Sequence, residues 1–519
     1  MVAMEQPQQS VLEFLGRPRT PGEPPPRRID THAASVFLFP ERALKIKRAV
    51  RFPFLDYLTL ELRRAACEAE LAVNRPFAPQ IYRRVIPVTR ESDGSFAIGG
   101  AGEPVEWAVE MARFDENRTL DHLAERGEID AALADALGRA VAAAHAQTQV
   151  AEAEPWITAI GDYVDEHASV FGAAPDLFPP DDAATLTQAS RAAFARIRPL
   201  LEARGDRGLI RRCHGDLHLG NIVVLDGKPV LFDAIEFDPV IASGDVLYDL
   251  AFLLMDLFAR NLTHAANVVF NRYLVETDRD ADLDGLAALP FLLSMRAAIR
   301  AKVTAARLRQ DPKHDRDAIA AAARKYFHLA LQLIMPSTPK LIAVGGLSGT
   351  GKSLLARMLA PRVPPVPGAV LLRSDVERKR LFGVGETERL PKDAYTPEVS
   401  ARIYAALEGK ARTVIAAGHS AVVDAVFAMP EERRALADIA RRARVPLHGL
   451  FLTADLAVRL QRVGGRRGDA SDADAAVVTQ QEEYPLDAMD WTAVDANCTP
   501  EETLRRALSS LPATRIPDG

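Results

Sequence analysis

Cysteine is scarce: Cys67, Cys213 and Cys498 are the three in 519 residues, and none stands in a C-x-x-C pair. That excludes a disulfide framework and a structural zinc site, and it implies a reducing compartment, for which the cytoplasm is the expected location. A basic excess is missing too. Lys and Arg total 64 against 70 Asp and Glu, a formal net charge of −6, which excludes a global cationic coat for nucleic acid but not a local basic groove. No apolar run is long enough to cross a bilayer, which takes about 20 residues. The most apolar stretch, Val246 to Ala259, carries Asp249 and Asp256 and reads as a core helix, so no membrane partner is expected. The opening MVAMEQPQQSVLEFLGRPRTPGEPPPRR lacks the apolar segment of an export signal and reads as a poorly ordered lead-in over residues 1–29. No internal repeat is found.

What is present is a globular composition, 48% hydrophobic and 26% charged, in a chain long enough for several cores. Alternation through VFLFPERALKIKRAV predicts a hairpin turning at Pro40 and Glu41, followed by a helix over Tyr57 to Asn74 and further strands near Ile81 to Pro87 and Trp107 to Met111. This predicts a small, mostly β lobe over 30–115. A helical lobe over 116–335 follows, interrupted by a hairpin at Asp226-Gly227. Pro336 to Lys340 reads as a linker. Beyond it, strands at Leu341 to Val344, Ala369 to Leu372, Ala421 to Val423 and Leu447 to Leu452 alternate with helices, which predicts a doubly wound parallel sheet over 341–519.

Cys213-His214-Gly215-Asp216-Leu217-His218-Leu219-Gly220-Asn221 places a carboxylate and a carboxamide five residues apart, just before a hairpin that ends in Asp233. A loop Asp216 can accept a hydroxyl proton, while Asn221 and Asp233 offer hard oxygen ligands to a Mg²⁺ ion bridging ATP phosphates. The His214-Gly215-Asp216 order resembles aminoglycoside phosphotransferases, which carry H-G-D where protein kinases carry H-R-D. That resemblance covers roughly residues 30–335 and implies a bilobal kinase-like fold. It also implies an ATP-anchoring lysine at Lys45, with Lys47 on the same strand face as the alternative, and an ion-pair partner at Glu70, with Glu68 second. No G-x-G-x-x-G precedes the lysine; Thr31 to Ser35 stands there, and the Thr31 and Ser35 hydroxyls are weak phosphate candidates. Asp245 resembles a residue that braces the catalytic loop, and His145 and His218 read as locally satisfied histidines.

Gly346-Leu347-Ser348-Gly349-Thr350-Gly351-Lys352-Ser353 follows an apolar strand, precedes a helix and fits G-x-x-x-x-G-K-[ST] at every fixed position. Its glycines and backbone N–H groups, including those of Ser348 and Thr350, suit the wrapping of phosphates at a helix N-terminus. Lys352 reaches the β and γ phosphates and Ser353 ligates Mg²⁺. The next strand ends in Arg373-Ser374-Asp375-Val376-Glu377-Arg378, so Asp375 can act as base on an acceptor hydroxyl and Arg378 can neutralise developing charge. Asp424 after Val422-Val423 offers a Walker B-like carboxylate, and Arg459, Arg462, Arg466 and Arg467 form a basic cluster suited to a phosphate-covering lid. The arrangement, over about Lys340 to Leu511, resembles P-loop kinases of the polynucleotide kinase, gluconate kinase and chloramphenicol phosphotransferase type. Two Mg-ATP sites phosphorylating small-molecule hydroxyls are therefore expected. Two other readings stand beside that one: the kinase-like region as a regulatory nucleotide- or partner-binding module, and the P-loop domain as a polynucleotide 5′-end kinase, nucleic acid being a possible partner of that domain alone.

Overall fold

The computed structural model describes residues 6–19, 24–52, 55–310, 316–465, 468–486 and 489–511. The chain forms two compact units, Met1–Tyr163 with Leu201–Asp256, and Val164–Leu200 with Leu257–Gly519.

The first unit opens on a helix, α1 (Gln6–Leu15). Strands β1 (Arg27–Asp30), β2 (Ala34–Leu38) and β3 (Arg42–Lys47) follow, then a short ribbon of β4 (Arg51–Phe52) and β5 (Leu55–Asp56), helix α2 (Leu60–Asn74), and strands β6 (Tyr82–Arg90), β7 (Phe96–Ile98) and β8 (Glu103–Ala112). The antiparallel sheet runs in the order β1-β2-β3-β8-β6-β7. Alternation along β3 sends Leu44 and Ile46 into a core with Phe37, Ile86, Val88 and Ala108. Val11, Leu12 and Leu15 of α1 complete that core, each at most 1% exposed. The expected disordered lead-in over 1–29 is thus corrected for the segment Gln6–Leu15. Gln8, Val11, Leu12 and Leu15 follow helical i, i+3, i+4, i+7 spacing, and burying that stripe offsets the ordering cost despite the prolines that come after.

Helices α3 (Leu120–Glu125), α4 (Ala131–Gln147), α5 (Ala153–Gly172) and α6 (Pro180–Asp206) follow. The chain leaves the first unit within α5 and re-enters it within α6. It then forms β9 (Ile210–Arg212), the hairpin β10 (Ile222–Leu225) and β11 (Lys228–Leu231), a short helix α7 (Pro239–Ala242), β12 (Ser243–Asp245) and α8 (Val246–Ala259). The hairpin turns at Asp226 and Gly227, both at positive φ as a two-residue turn of this kind requires.

The second unit contains helices α9 (Thr263–Thr277), α10 (Asp280–Gly285), α11 (Leu289–Gln310) and α12 (Arg316–Ile334), followed by strand β13 (Leu341–Gly346) and helix α13 (Lys352–Leu359). Next come β14 (Val370–Arg373), α14 (Ser374–Leu381), α15 (Pro397–Ala416), β15 (Ala421–Asp424), α16 (Pro430–Ala443), β16 (Leu447–Thr453), α17 (Leu456–Gly464), α18 (Ala475–Gln480), β17 (Thr492–Asp495) and α19 (Pro500–Ser510). The parallel sheet has the order β14-β15-β13-β16-β17, so β13, which leads into the glycine loop, is central. Four of its strands match the expected positions; β17, with one buried residue in four, has too weak a pattern to be read from sequence. The unit division does not follow the expected linker at 336–340. Helices before that linker are hydrogen-bonded to the edge of the parallel sheet, as Asn271 of α9 is to Leu371 of β14, so they cluster with it. Among the described residues no helix is long and apolar enough to cross a membrane.

Candidate active sites

In the first unit, the alternation that buries Leu44 and Ile46 turns Lys45 and Lys47 to the opposite face, where both reach Glu70 of α2, at 2.8 and 2.6 Å. Lys45 also pairs with Asp233 at 2.6 Å, and Lys47 with Glu236, whose carboxylate accepts a hydrogen bond from the Tyr57 hydroxyl at 3.2 Å. Of the two lysines that fit the strand pattern, Lys45 is therefore the one beside a candidate metal ligand. Glu68 points away and pairs with Arg64 on the helix surface. Burial acts to lower the Lys45 ammonium, but the Asp233 and Glu70 carboxylates together outweigh it and hold it well above the usual lysine range. Burial likewise acts to raise Glu70, and the two lysines reverse that, keeping it ionised.

The segment from Cys213 to Asn221 is held from α8. Asp249 accepts the main-chain N–H groups of His214 and Gly215 at 3.2 and 2.9 Å, and Asp256, seven residues on and so on the same helix face, accepts that of Leu219 at 3.1 Å. Asp245, expected to brace this loop, instead makes a buried two-point pair with Arg204 at 2.6 and 2.7 Å; the brace is Asp249, four residues later. His145 and Cys213 lie close enough to Asp249 to be considered for a metal. Both Asp249 oxygens already serve main-chain donors, and His145 Nε2 sits 3.1 Å from one of them, so the cluster is a hydrogen-bonded support of the loop.

The Asn221 side-chain NH₂ donates to both the main-chain oxygen and Oδ2 of Asp216 at 3.0 Å, and His218 Nε2 lies 3.4 Å from Oδ2. Asp233 has φ +62°, in the left-handed region, and is held on both sides. Its N–H donates to the Tyr82 hydroxyl at 3.1 Å, and Ala234 exchanges two hydrogen bonds with the Asn74 side chain at the end of α2. Tyr82, Asn74, Glu236 and Asp249 carried no local signal; each is recognisable only by what it touches. The Thr31 and Ser35 hydroxyls are engaged within the β1–β2 turn, with Ala34 and Asp30, rather than turned to a ligand.

In the second unit the glycine loop joins β13 to α13. Gly349 has φ +85°, and a Cβ there would stand 2.6 Å from the Arg459 carbonyl oxygen, so the loop can pass α17 only as glycine. Gly346, at φ +137°, packs as closely against Leu452, and Gly351 is the N-cap of α13. Lys352 Nζ donates to the Leu347 carbonyl at 3.1 Å, to which the Thr350 hydroxyl also donates. Ser348 is fixed from both sides: its N–H donates to Gln481 Oε1 at 2.6 Å and its carbonyl accepts from Arg459 Nε at 2.9 Å. Ser353 opens α13 just after Lys352.

At the carboxyl ends of the neighbouring strands, Arg373 and Asp424 stand in register and pair at 3.3 Å, and Arg373 also pairs with Asp469 at 2.9 Å. Asp375 comes next to this group and accepts a hydrogen bond from Ser471; burial first and the Asp424 charge second raise its carboxyl above the usual aspartate value, against Arg373 and Lys352. Sequence reasoning missed Arg373, Gln481 and Ser471. Arg378, expected beside a transferring phosphate, is buried over the Tyr395 ring and donates to the Ala394 carbonyl at 2.6 Å, so it secures the loop before α15, and the cations acting on Asp375 are Arg373 and Lys352. Arg459 and Arg462, expected in a lid, brace the glycine loop: Arg462 donates to Thr350, Ala496 and Cys498 carbonyls. Arg466 and Arg467 lie outside the described residues.

Asn221 with Asp233, and Ser353 with Asp424, offer oxygen donors and no sulfur or ring nitrogen, which is the donor set of a hard cation such as Mg²⁺. Because the Asn221 NH₂ is engaged with Asp216, its carbonyl oxygen is the atom left for a cation.

Comparison with known proteins gives two family matches, the Phosphotransferase enzyme family over residues 49–289 and an AAA domain over residues 341–484. Uncharacterized proteins of Mycobacterium tuberculosis and Mycobacterium bovis are 30% identical over 461 residues, covering 86% of this chain and 88% of theirs. Among solved structures, a gluconokinase from Sinorhizobium meliloti is similar at 23% identity over 33% of this chain and 90% of its own, TM-score 0.24. An aminoglycoside phosphotransferase from Alicyclobacillus acidocaldarius is similar at 14% identity over 59% and 91%, TM-score 0.33, and a choline kinase from Cryptosporidium parvum at 11% over 60% and 86%, TM-score 0.35.

Proposed function

The chain belongs to the same family as these mycobacterial proteins and joins a phosphotransferase-family domain to a P-loop kinase domain, and from that premise we propose that it is a bifunctional, cytoplasmic phosphotransferase. Two sites each bind ATP and transfer its γ-phosphoryl group to the hydroxyl of a small molecule. The observation that carries this reading is that each site has its own lysine and its own carboxylates: in the first Lys45 pairs with Asp233 and Asn221 holds Asp216, and in the second the charges of Lys352 and Asp424 act on Asp375. Neither site lacks a part that the other would have to lend.

In the first site Glu70 holds Lys45 out from the strand toward the α and β phosphates. Asn221 fixes one oxygen of Asp216, and the carboxylate takes the acceptor proton as the hydroxyl oxygen bonds to phosphorus and the bond to ADP breaks. In the second, the loop N–H groups and Lys352 cradle the phosphates at the start of α13, and Asp375 takes the acceptor proton. Mg²⁺ held by Asn221 and Asp233, and by Ser353 and Asp424, would supply charge neutralisation on the ATP phosphates.

Calorimetric titration of the full chain with a non-hydrolysable ATP analogue is expected to give two sites, and a hydroxyl-compound screen read by ³¹P NMR to give one product lost in Asp216→Asn and another lost in Lys352→Ala. A single site would make one domain a nucleotide-free module. Labelled phosphate on oligonucleotide 5′ ends would replace the small-molecule reading of the P-loop domain.

A further inference from the structure

The parallel sheet ends at β14, whose outer edge has no strand beside it among the described residues. An edge strand presents bare N–H and C=O groups, and here the side chains of α9 take them. Asn271 Oδ1 accepts from Leu371 N–H at 2.6 Å while its Nδ2 donates to the Ala369 carbonyl at 3.1 Å, so one carboxamide stands in for the missing strand. Asn267, 4% exposed, donates to the Ala369 and Pro367 carbonyls at 3.1 and 3.2 Å.

The contact continues along α14. Arg380 pairs with Asp278 at the end of α9 at 2.9 Å and donates to the Val275 carbonyl. Lys410 of α15 bridges Glu377 at 2.8 Å to Asp278 at 3.3 Å, and Arg272 pairs with Glu386 at 2.9 Å. Glu377 and Arg380 are three residues apart, hence on one face of α14, and Asp375 stands at its first turn beside Asp424 and Lys352. A helix of eight residues is thus fastened to α9 along one face while its first turn carries the candidate base.

We infer that α9 positions the acceptor half of the P-loop site, with Asn271 and Asp278 as positioning residues, so that the working P-loop kinase includes a helix lying within the residues matched by the Phosphotransferase enzyme family. This rests on the P-loop reading proposed above. ATP is held by the glycine loop on the central strand, away from the fastened edge; the clamp therefore acts on turnover and not on nucleotide affinity.

The test uses the full chain carrying Asp216→Asn, with MgATP as the probe and water standing in for the acceptor hydroxyl. Asn271→Leu, close in size and unable to hydrogen-bond, is expected to raise hydrogen exchange across residues 369–381 by about tenfold or more while residues 346–353 exchange as before. The turnover number for ADP release should fall by a similar factor, with affinity for a non-hydrolysable MgATP analogue unchanged within about twofold. Asp278→Asn, which keeps shape and removes charge, should act in the same direction and serves if Asn271→Leu does not fold. Asn271→Asp, which keeps the acceptor for Leu371, should recover part of the loss. Turnover unchanged while 369–381 loosens, or nucleotide affinity lost in parallel with turnover, overturns the inference. ADP release that survives added Lys352→Ala counts instead against the P-loop reading, because the exchange result does not depend on it.

Discussion

Replacing Lys47 by Met removes one cation from a buried cluster of two lysines and two glutamates. The Lys47, Glu70 and Glu236 side chains are 3%, 0% and 7% exposed, and Lys47 Nζ stands 2.6 Å from Glu70. At that separation the gross attraction is about 6 kcal/mol for an effective dielectric constant of about 20, offset by the cost of taking the charges from water. The variant feels the other side of that balance, since both carboxylates stay buried: Glu70 keeps Lys45 at 2.8 Å, and Glu236 keeps only the Tyr57 hydroxyl among the contacts described. Stranding a charge in this way costs about 3 to 5 kcal/mol. Lys47 is held above the usual lysine range by Glu70 and Glu236 against burial, so its contribution is complete through neutral pH and is lost only as pH climbs above that range. Native-state hydrogen exchange at Ile46 and Val109, in the paired strands β3 and β8, is the assay. Lys47→Met should speed it by about two to three and a half orders of magnitude at 1.4 kcal/mol per factor of ten, and adding Glu236→Gln should recover much of the loss by discharging the stranded group. Acceleration of less than about fivefold, the level of a solvent-exposed pair, would refute the argument that the cluster is desolvated and mutually dependent.

Four further outcomes are expected. Asp216→Asn should lower transfer in the first domain by about 10² to 10⁴ while calorimetry still finds nucleotide bound there, because the proton acceptor is lost and the phosphate contacts are not. Lys352→Ala should weaken ATP binding in the second domain alone, reducing the titrated stoichiometry from two toward one. Asp375 must be ionised to accept a proton and is raised by burial and Asp424, so the acid limb of the P-loop reaction should lie above the ordinary aspartate value of about 3.9; Arg373→Met, removing an opposing cation, should move it further up in a pH–rate profile. Gly349→Ala places a Cβ 2.6 Å from the Arg459 carbonyl at φ +85°, and the loop distortion should lower ATP affinity by about tenfold or more, at about 1 to 2 kcal/mol for the left-handed backbone alone.

Much of both sites is legible in the chain because their chemistry is contiguous. A phosphate loop needs its glycines, lysine and serine at fixed offsets, since they share one turn and one helix start. Asp216 and Asn221 likewise share one loop and bond to each other. Strand alternation narrows the anchoring residue to Lys45 or Lys47 but cannot choose, because both lie on one face and both reach Glu70. Asp245 and Asp249 are similarly alike in sequence, and only the approach of Arg204 to one and the His214 and Gly215 amides to the other separates their roles.

By itself, then, the sequence determined the two kinase-type domain frameworks, the parallel sheet's four strongest strands and the short-range constellations, all set by local stereochemistry and hydrophobic period. Tertiary structure alone decided which lysine meets Asp233 across 188 residues, that Gln481 seats Ser348 across 133, that α1 is core, and that Asn271 closes the sheet edge across 100. Those contacts depend on buried donors and acceptors finding partners wherever packing brings them together, a requirement that leaves no periodicity or spacing in the chain to read.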